Sequence, residues 1–368
     1  MRARQLGIPF DGLPGRYNAI TDVPGVEVGY STLIRGCGPL RTGQGPVRTG
    51  VTAILPYGRA GAGRVAVAGW HALNGNGEMT GTTWIDETGG LALPVLITNT
   101  HSVGACHQGV TEWVIENRPD LARQWLLPVV AETWDGYLND TNGSHVTTAH
   151  ARAAIDGAAG GAIAEGSVGG GTGMTCYGFK GGSGTASRTV AHGGQRYTVG
   201  AFVQANFGRR DELRIAGVPV GRQLRDDNPE EDGDWLAPPG AGSVIVVLAT
   251  DAPLLPGQCK ALARRVPLGL ARTGTSGSHF SGDIFLAFST ANGDALASVI
   301  PADRKADDGY RTIRFIPWGQ LDPWYEAAVQ ATEEAVINCL AAGQTMTGRD
   351  DHRSPGLPVH RLPEFSGS

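Results

Sequence analysis

The chain has 368 residues, of which 41% are hydrophobic and only 18% charged, with a formal net charge of −5. That apolar content excludes a disordered chain, and the lack of a G-X-Y period excludes collagen in spite of 56 glycines, about twice the usual share. The slightly acidic balance, with Lys180, Lys260 and Lys305 as the only lysines, disfavours nucleic acid as a partner, because such binders carry excess positive charge.

The N-terminus, MRARQLGIPFDGLPGRY, has two early arginines but no apolar run behind them, so no secretory signal is expected and a cytoplasmic location is the default. Apolar and β-branched runs then predict strands over 26–30, 51–55, 65–70, 94–98, 127–131, 197–204, 244–249, 284–289 and 312–317. Helices are expected over 110–125, over the alanine-rich 147–165, over 256–266 with Pro267 as its stop, and over 322–342. In the last of these Asp322 serves as cap, Pro323 suits the first turn and Gly343 ends the helix. Tyr325, Val329, Thr332, Val336 and Leu340 form its expected buried stripe. No aliphatic run approaches the roughly 20 residues of a membrane helix. Strands and helices mix without a regular βαβ alternation or an internal repeat, which predicts one large layered α+β domain over 1–368.

Several stretches bear on chemistry. Cys37, Cys106, Cys176, Cys259 and Cys339 form no CxxC pair and are odd in number, so they read as reduced, mostly structural thiols. Cys106 precedes His107, but neighbours in sequence point apart and do not make a nucleophile–base pair. His71, His101, His107, His145 and His150 match no zinc spacing, and neither metal nor cofactor is implied. The glycine-rich runs at 169–173 and 181–184 lack GxxxxGK[ST], with Lys180 before its glycines instead of after them. Close backbone packing around a cleft fits them better than a phosphate loop. Residues 221–242 carry six acids and three prolines with no periodicity and read as an exposed, mobile loop. The loop ends at Gly242-Ser243, where the strand VIVVLAT begins at once.

Three blocks, His71 to Gly104, Gly166 to Arg188 and Gly242 to Arg265 with its continuation Arg272 to Asn292, resemble one family. With AETWDGYLND (131–140) and VQANFG (203–208), they are similar to the self-processing aminopeptidases. These comprise the L-aminopeptidase/D-amino-acid esterase and amidase and the β-peptidyl aminopeptidases. The resemblance runs from about Gly12 to Gly343. It implies an N-terminal-nucleophile hydrolase on a four-layer α/β/β/α sandwich, made as one inactive chain and cut between Gly242 and Ser243 into 1–242 and 243–368. Chemistry favours that junction. Ser243 Oγ attacks the Gly242 carbonyl, water hydrolyses the ester, and a serine with a free α-amine remains. An amine with an unperturbed pKa of about 7.7–8.0 is a usable base at neutral pH.

By the same resemblance Ser281 and Asp283 sit beside Ser243, and two positions apart on a strand they face the same way. Some relatives carry glutamate in place of Asp283, so the shorter acid either contacts Ser281 directly or faces the new α-amine. Asn206 matches the family asparagine whose amide stabilises the oxyanion. Tyr137 is a second donor, and Glu132 is the acid that grips the substrate's ammonium. Asn74 and Asn99 belong to the first block without a fixed role, and Trp134, Phe207 and the 221–242 loop are expected to shape the pocket. Substrates would be small peptides, amides or esters with a free amino group, and a homo-oligomer, a tetramer of αβ units, is implied. Two other readings stand beside this one. One is an acyltransferase or amide-oligomer hydrolase of the same architecture, where threonine is expected in place of Ser243. The other is a non-catalytic ligand-binding homologue.

Overall fold

The computed structural model describes residues 2–235, 238, 240–298 and 309–365. In chain order the elements are β1 (Glu27–Arg35), β2 (Val47–Leu55), β3 (Ala66–Ala72), α1 (Thr82–Thr88), β4 (Gly90–Leu91), β5 (Val95–Asn99), α2 (Val103–Asn117) and β6 (Val129–Thr133). Next come α3 (Thr148–Asp156), the short β7 (Thr175–Cys176) and β8 (Phe179–Lys180), β9 (Gly182–His192) and β10 (Gln195–Asn206). The chain continues through β11 (Gly242–Thr250), α4 (Pro256–Ala263), α5 (Val266–Arg272), β12 (Ser281–Ser289) and α6 (Asp322–Ala342).

One sheet has the order β1-β2-β5-β6 and the other β4-β3-β12-β11-β10-β9. Side chains alternate across β11 as a strand buried on both faces requires. Ile245, Val247 and Ala249 meet Ile54, Ile97 and Ala131 in the core between the sheets. Val244, Val246 and Leu248 point the other way, into a core with Leu262, Leu270 and Val336 of α4, α5 and α6. The far face of the first sheet packs Val51, Ala53 and Leu96 against Val110 and Trp113 of α2 and Ala151 and Ile155 of α3. The layers are therefore helix, sheet, sheet, helix, which is the expected α+β sandwich. Each buried aliphatic side chain contributes about 1.5–3 kcal/mol, so burial of both faces of both sheets dominates stability.

β11 and β12 run parallel and are joined through α4 and α5, the crossover that parallel pairing demands. β10 runs antiparallel on the other side of β11. The register sets Ser243 opposite Asn206 on β10 and opposite Gly282 on β12. The start of β11 is thus flanked by the two strands that carry the other expected site residues.

Several expected boundaries differ from the structure. No strand forms at 312–317; there the Asn292 side chain pairs with both the N–H and the C=O of Arg314, in place of a neighbouring strand. The helix expected over 110–125 is α2, which starts seven residues earlier and ends before Pro119. The helix over 147–165 stops at Gly157, and that over 256–266 is two helices, with Pro267 opening the second instead of ending the first. On α6 the N-cap is Leu321, with Asp322 inside the first turn. That helix is buried on more than a stripe, including Trp324, Ala328, Ala331 and Ala335. β9 was not anticipated at all. Its glycines admit α6 to the sheet, since a Cβ on Gly184 would lie 2.1 Å from the Ala335 carbonyl oxygen. Among the described residues between 221 and 241 no strand forms, but the stretch is not wholly exposed: Gly221, Leu224 and Pro229 are buried, and the carbonyls of Leu224, Asp226 and Asp227 hold the Arg210 guanidinium. Among the described residues no helix is long and apolar enough to cross a membrane.

Candidate active site

The strand that begins at Gly242 brings its own scissile bond to a cavity. Gly242 has φ of 156°, and a Cβ there would fall 1.9 Å from the Asn206 carbonyl oxygen, so only glycine fits this approach of β11 to β10. The next residue, Ser243, is 3% exposed, and its Oγ lies 2.6 Å from the Gly242 carbonyl oxygen. The hydroxyl is folded back on the peptide group it is expected to attack. The Gly282 amide donates to the same Oγ at 3.4 Å.

Across the ladder, Asn206 accepts a hydrogen bond from the Thr175 amide through Oδ1 at 2.9 Å. With Oδ1 so engaged, Nδ2 is the side-chain group that can donate, and Asn206 lines the cavity. Tyr137, Asn206, Gly242, Ser243 and Glu132 all line one cavity of about 440 Å³, walled by Trp134, Thr175, Trp235 and Phe280. Glu132 sits inside β6, on the sheet opposite, and is 2% exposed. Its carboxylate accepts from the Glu78 amide at 3.0 Å and from the Thr100 hydroxyl. Burial pushes this carboxyl above the usual range, those two hydrogen bonds oppose the shift, and the charges of Glu78 and Asp135 reinforce it. A buried acid so poised gains most from a cationic partner.

Ser281 and Asp283 lie apart from this group. Ser281 Oγ donates to Asp283 Oδ1 at 2.6 Å, so the acid reaches the serine directly. Asn74 donates to Asp283 Oδ2 at 3.0 Å and accepts from the Asp283 amide at 2.7 Å. Burial raises the Asp283 carboxyl, and bonds from Ser281, Asn74 and the Val244 amide oppose that rise. Neither Ser281 nor Asp283 lines the cavity. Strand alternation explains this: Val244, opposite Asp283, belongs to the helix-side core, whereas Ser243 faces the other sheet with Ile245. The pair stands behind the start of β11, with Ser281 opposite Gly242.

Tyr137 reaches the cavity, but its hydroxyl donates to Asp232 Oδ2 at 2.9 Å. Phe207 is buried against Tyr177 and does not line the cavity. Asn99 instead caps the turn after β5 and donates to Thr49. Cys106 is fully buried with its thiol pushed up to about 12, far from a reactive thiolate. Sequence reasoning missed Glu78, Thr100, Thr175, Trp235 and Phe280. Of these Thr175, beside the glycine run, and Trp235, in the 221–242 loop, stood in segments already expected at the cleft.

A serine at the start of a buried strand, with an amide and an acid across one cavity, is an arrangement suited to hydrolysis by a serine nucleophile. Residues 18–354 match peptidase family S58. The β-peptidyl aminopeptidase BapA of Sphingosinicella microcystinivorans is 51% identical, covering 98% of this chain and 89% of its own length. Among solved structures, the L-aminopeptidase D-Ala-esterase/amidase of Ochrobactrum anthropi, a variant of the Ntn-hydrolase fold, is 47% identical with a TM-score of 0.90, over 99% of this chain and 97% of that one. A Burkholderia sp. β-aminopeptidase is 45% identical with a TM-score of 0.88 and full coverage of both chains. The chain belongs to peptidase family S58 and is a serine aminopeptidase.

Proposed function

We propose that the chain cuts itself between Gly242 and Ser243 and then releases N-terminal residues from small peptides, amides and esters through Ser243. The carrying observation is the convergence of the Ser243 hydroxyl, the Asn206 amide and the Glu132 carboxylate on one cavity. In the first reaction Ser243 Oγ attacks the Gly242 carbonyl carbon, the C–N bond breaks, and the acyl group moves to oxygen. Water hydrolyses that ester, giving a Gly242 carboxylate and a free Ser243 α-amine.

In the second reaction Glu132 holds the substrate ammonium, and the α-amine accepts the Ser243 proton as Oγ attacks the first carbonyl. Asn206 Nδ2 donates to the oxyanion, an interaction worth about 3 kcal/mol. The protonated amine then passes its proton to the leaving amine, and water releases the acyl group. Ser281 and Asp283, standing behind β11 at the level of Gly242, hold the new α-amine in place. The BapA relative supports β-amino acids among the residues released.

Intact-mass spectra of the wild type and Ser243→Ala test this reading. The wild type is expected to give chains of 242 and 126 residues, the second starting at Ser243, while the alanine variant stays whole. A wild type that remains full length on long incubation overturns it. Rates on L-alanine, D-alanine and β-alanine anilides then rank the substrate classes.

A further inference from the structure

Lys180, on β8, is fully buried, yet among the described residues no carboxylate pairs with it. An unpaired buried ammonium is costly. Its Nζ donates to the Met174 carbonyl at 2.7 Å and the Gly181 carbonyl at 2.9 Å, with the Gly171 carbonyl at 3.5 Å. The Met174 carbonyl belongs to the same peptide unit as the Thr175 N–H, and that N–H is the one donated to Asn206 Oδ1. An unbroken line of dipoles runs from ammonium to peptide to side-chain amide to the cavity. Each hydrogen bond in such a line strengthens the next, by about 10–30%.

We propose that Lys180 is a positioning residue for the oxyanion-binding amide: its ammonium fixes and polarises the Met174–Thr175 peptide, and that peptide fixes and polarises Asn206. This rests on Asn206 as the oxyanion donor. Packing by itself does not call for a charge here, since a methionine fills the same volume without the cost of desolvation. The titratable groups facing the ammonium are the thiols of Cys176 on β7 and Cys339 on α6. Burial pushes both up, Cys339 to about 12, so neither carries a compensating charge at neutral pH. Burial also pulls Lys180 down to about 7. Its charge is therefore lost as pH rises, which lowers activity, whereas the same deprotonation of the Ser243 amine supplies the base and raises it.

The experiment compares Lys180→Met with Asn206→Ala in processed enzyme. It measures kcat and KM on an alanine anilide, and affinity for an aminoalkyl boronate, which forms a tetrahedral anion, against the matching amino alcohol, which does not. Lys180→Met is expected to lower kcat at least tenfold with KM within threefold. It should weaken the boronate in parallel, spare the amino alcohol, and remove the alkaline fall in the wild-type kcat profile. Unchanged kcat and boronate affinity, or equal losses for both ligands, overturn the proposal. Asn206→Ala separates the two readings. If it spares the boronate, the oxyanion assignment is what fails; if it weakens the boronate and Lys180→Met does not, only the role of Lys180 fails. Should Lys180→Met not yield folded, processed enzyme, Lys180→Gln, which keeps a donor towards the Met174 carbonyl without the charge, decides: a kcat and a boronate affinity equal to those of the wild type refute the proposal.

Discussion

Glu132 shows how one buried group ties binding to stability. Its carboxyl is raised by burial, with two hydrogen bonds opposing. An acid whose folded pKa is raised contributes stability that is full below its unfolded pKa and lost as pH rises through the folded one. Asp283 shares this sign, as does Asp135, which burial raises to about 6. Glu132→Gln removes one of these titrations and also the charge that grips the substrate ammonium. A charge-assisted hydrogen bond is worth about 1.5–3 kcal/mol, so KM should rise roughly ten- to hundredfold, with kcat changed much less. Melting temperatures at pH 5 and pH 7 should lie closer together in the variant than in the wild type. A loss confined to kcat, with KM unchanged, would place Glu132 in the chemistry instead of in binding.

Among the elements, β9 carries the sharpest stability prediction. Gly184 lets the α6 backbone approach so closely that a Cβ would lie 2.1 Å from the Ala335 carbonyl oxygen. Gly184→Ala must push α6 off the second sheet, and such overpacking costs about 1–3 kcal/mol. A urea titration should show a lower midpoint with an unchanged slope, because the extent of the cooperative unit stays the same. β9 also marks the limit of what the sequence discloses. Strands such as β11, with its Val, Ile and Leu run, were readable because composition and burial agree. β9 hides because the demand of its neighbour for small residues overrides strand propensity. The same effect concealed the first turns of α2, where a Cβ on Gly109 would lie 2.6 Å from Ala151 Cβ. Within the site, Ser243, Asn206 and Glu132 were legible from the motifs around them. Asn74, Thr100 and Thr175 were not assigned roles, because their partners Asp283, Glu132 and Asn206 lie 209, 32 and 31 residues away. Only the fold joins them.

At the scale of the whole molecule, the intact chain holds the segment before the scissile bond across the cavity. Tyr137 is the hub. Its hydroxyl donates to Asp232, its ring stacks on His352 at 4.6 Å, and Trp235 meets it edge-on at 4.7 Å. His352 in turn faces Asp234 at 3.3 Å. Asp232, Asp234 and Trp235 all precede Gly242, so cleavage turns their tether into a free chain end. A contact made by a chain fixed at both ends has a high effective concentration, and cutting one end lowers it. Burial and the Asp232 carboxylate both push the Tyr137 phenol up, so it stays a neutral O–H donor throughout the working range. In the intact chain that donor is committed to Asp232; if the proposed cleavage releases Asp232, the hydroxyl can turn into the cavity that Tyr137 lines. Tyr137→Phe should therefore leave the rate of self-cleavage within about twofold, while lowering kcat of the cleaved enzyme about tenfold, less than the hundredfold or more expected of the principal oxyanion donor. Asp232→Asn, which weakens the tether but keeps the hydroxyl, should change kcat little. The two rates are separable in one preparation, by mass spectra during maturation and by turnover afterwards. If Tyr137→Phe slows cleavage and turnover alike, the hydroxyl already serves the first reaction, and its bond to Asp232 does not restrain it.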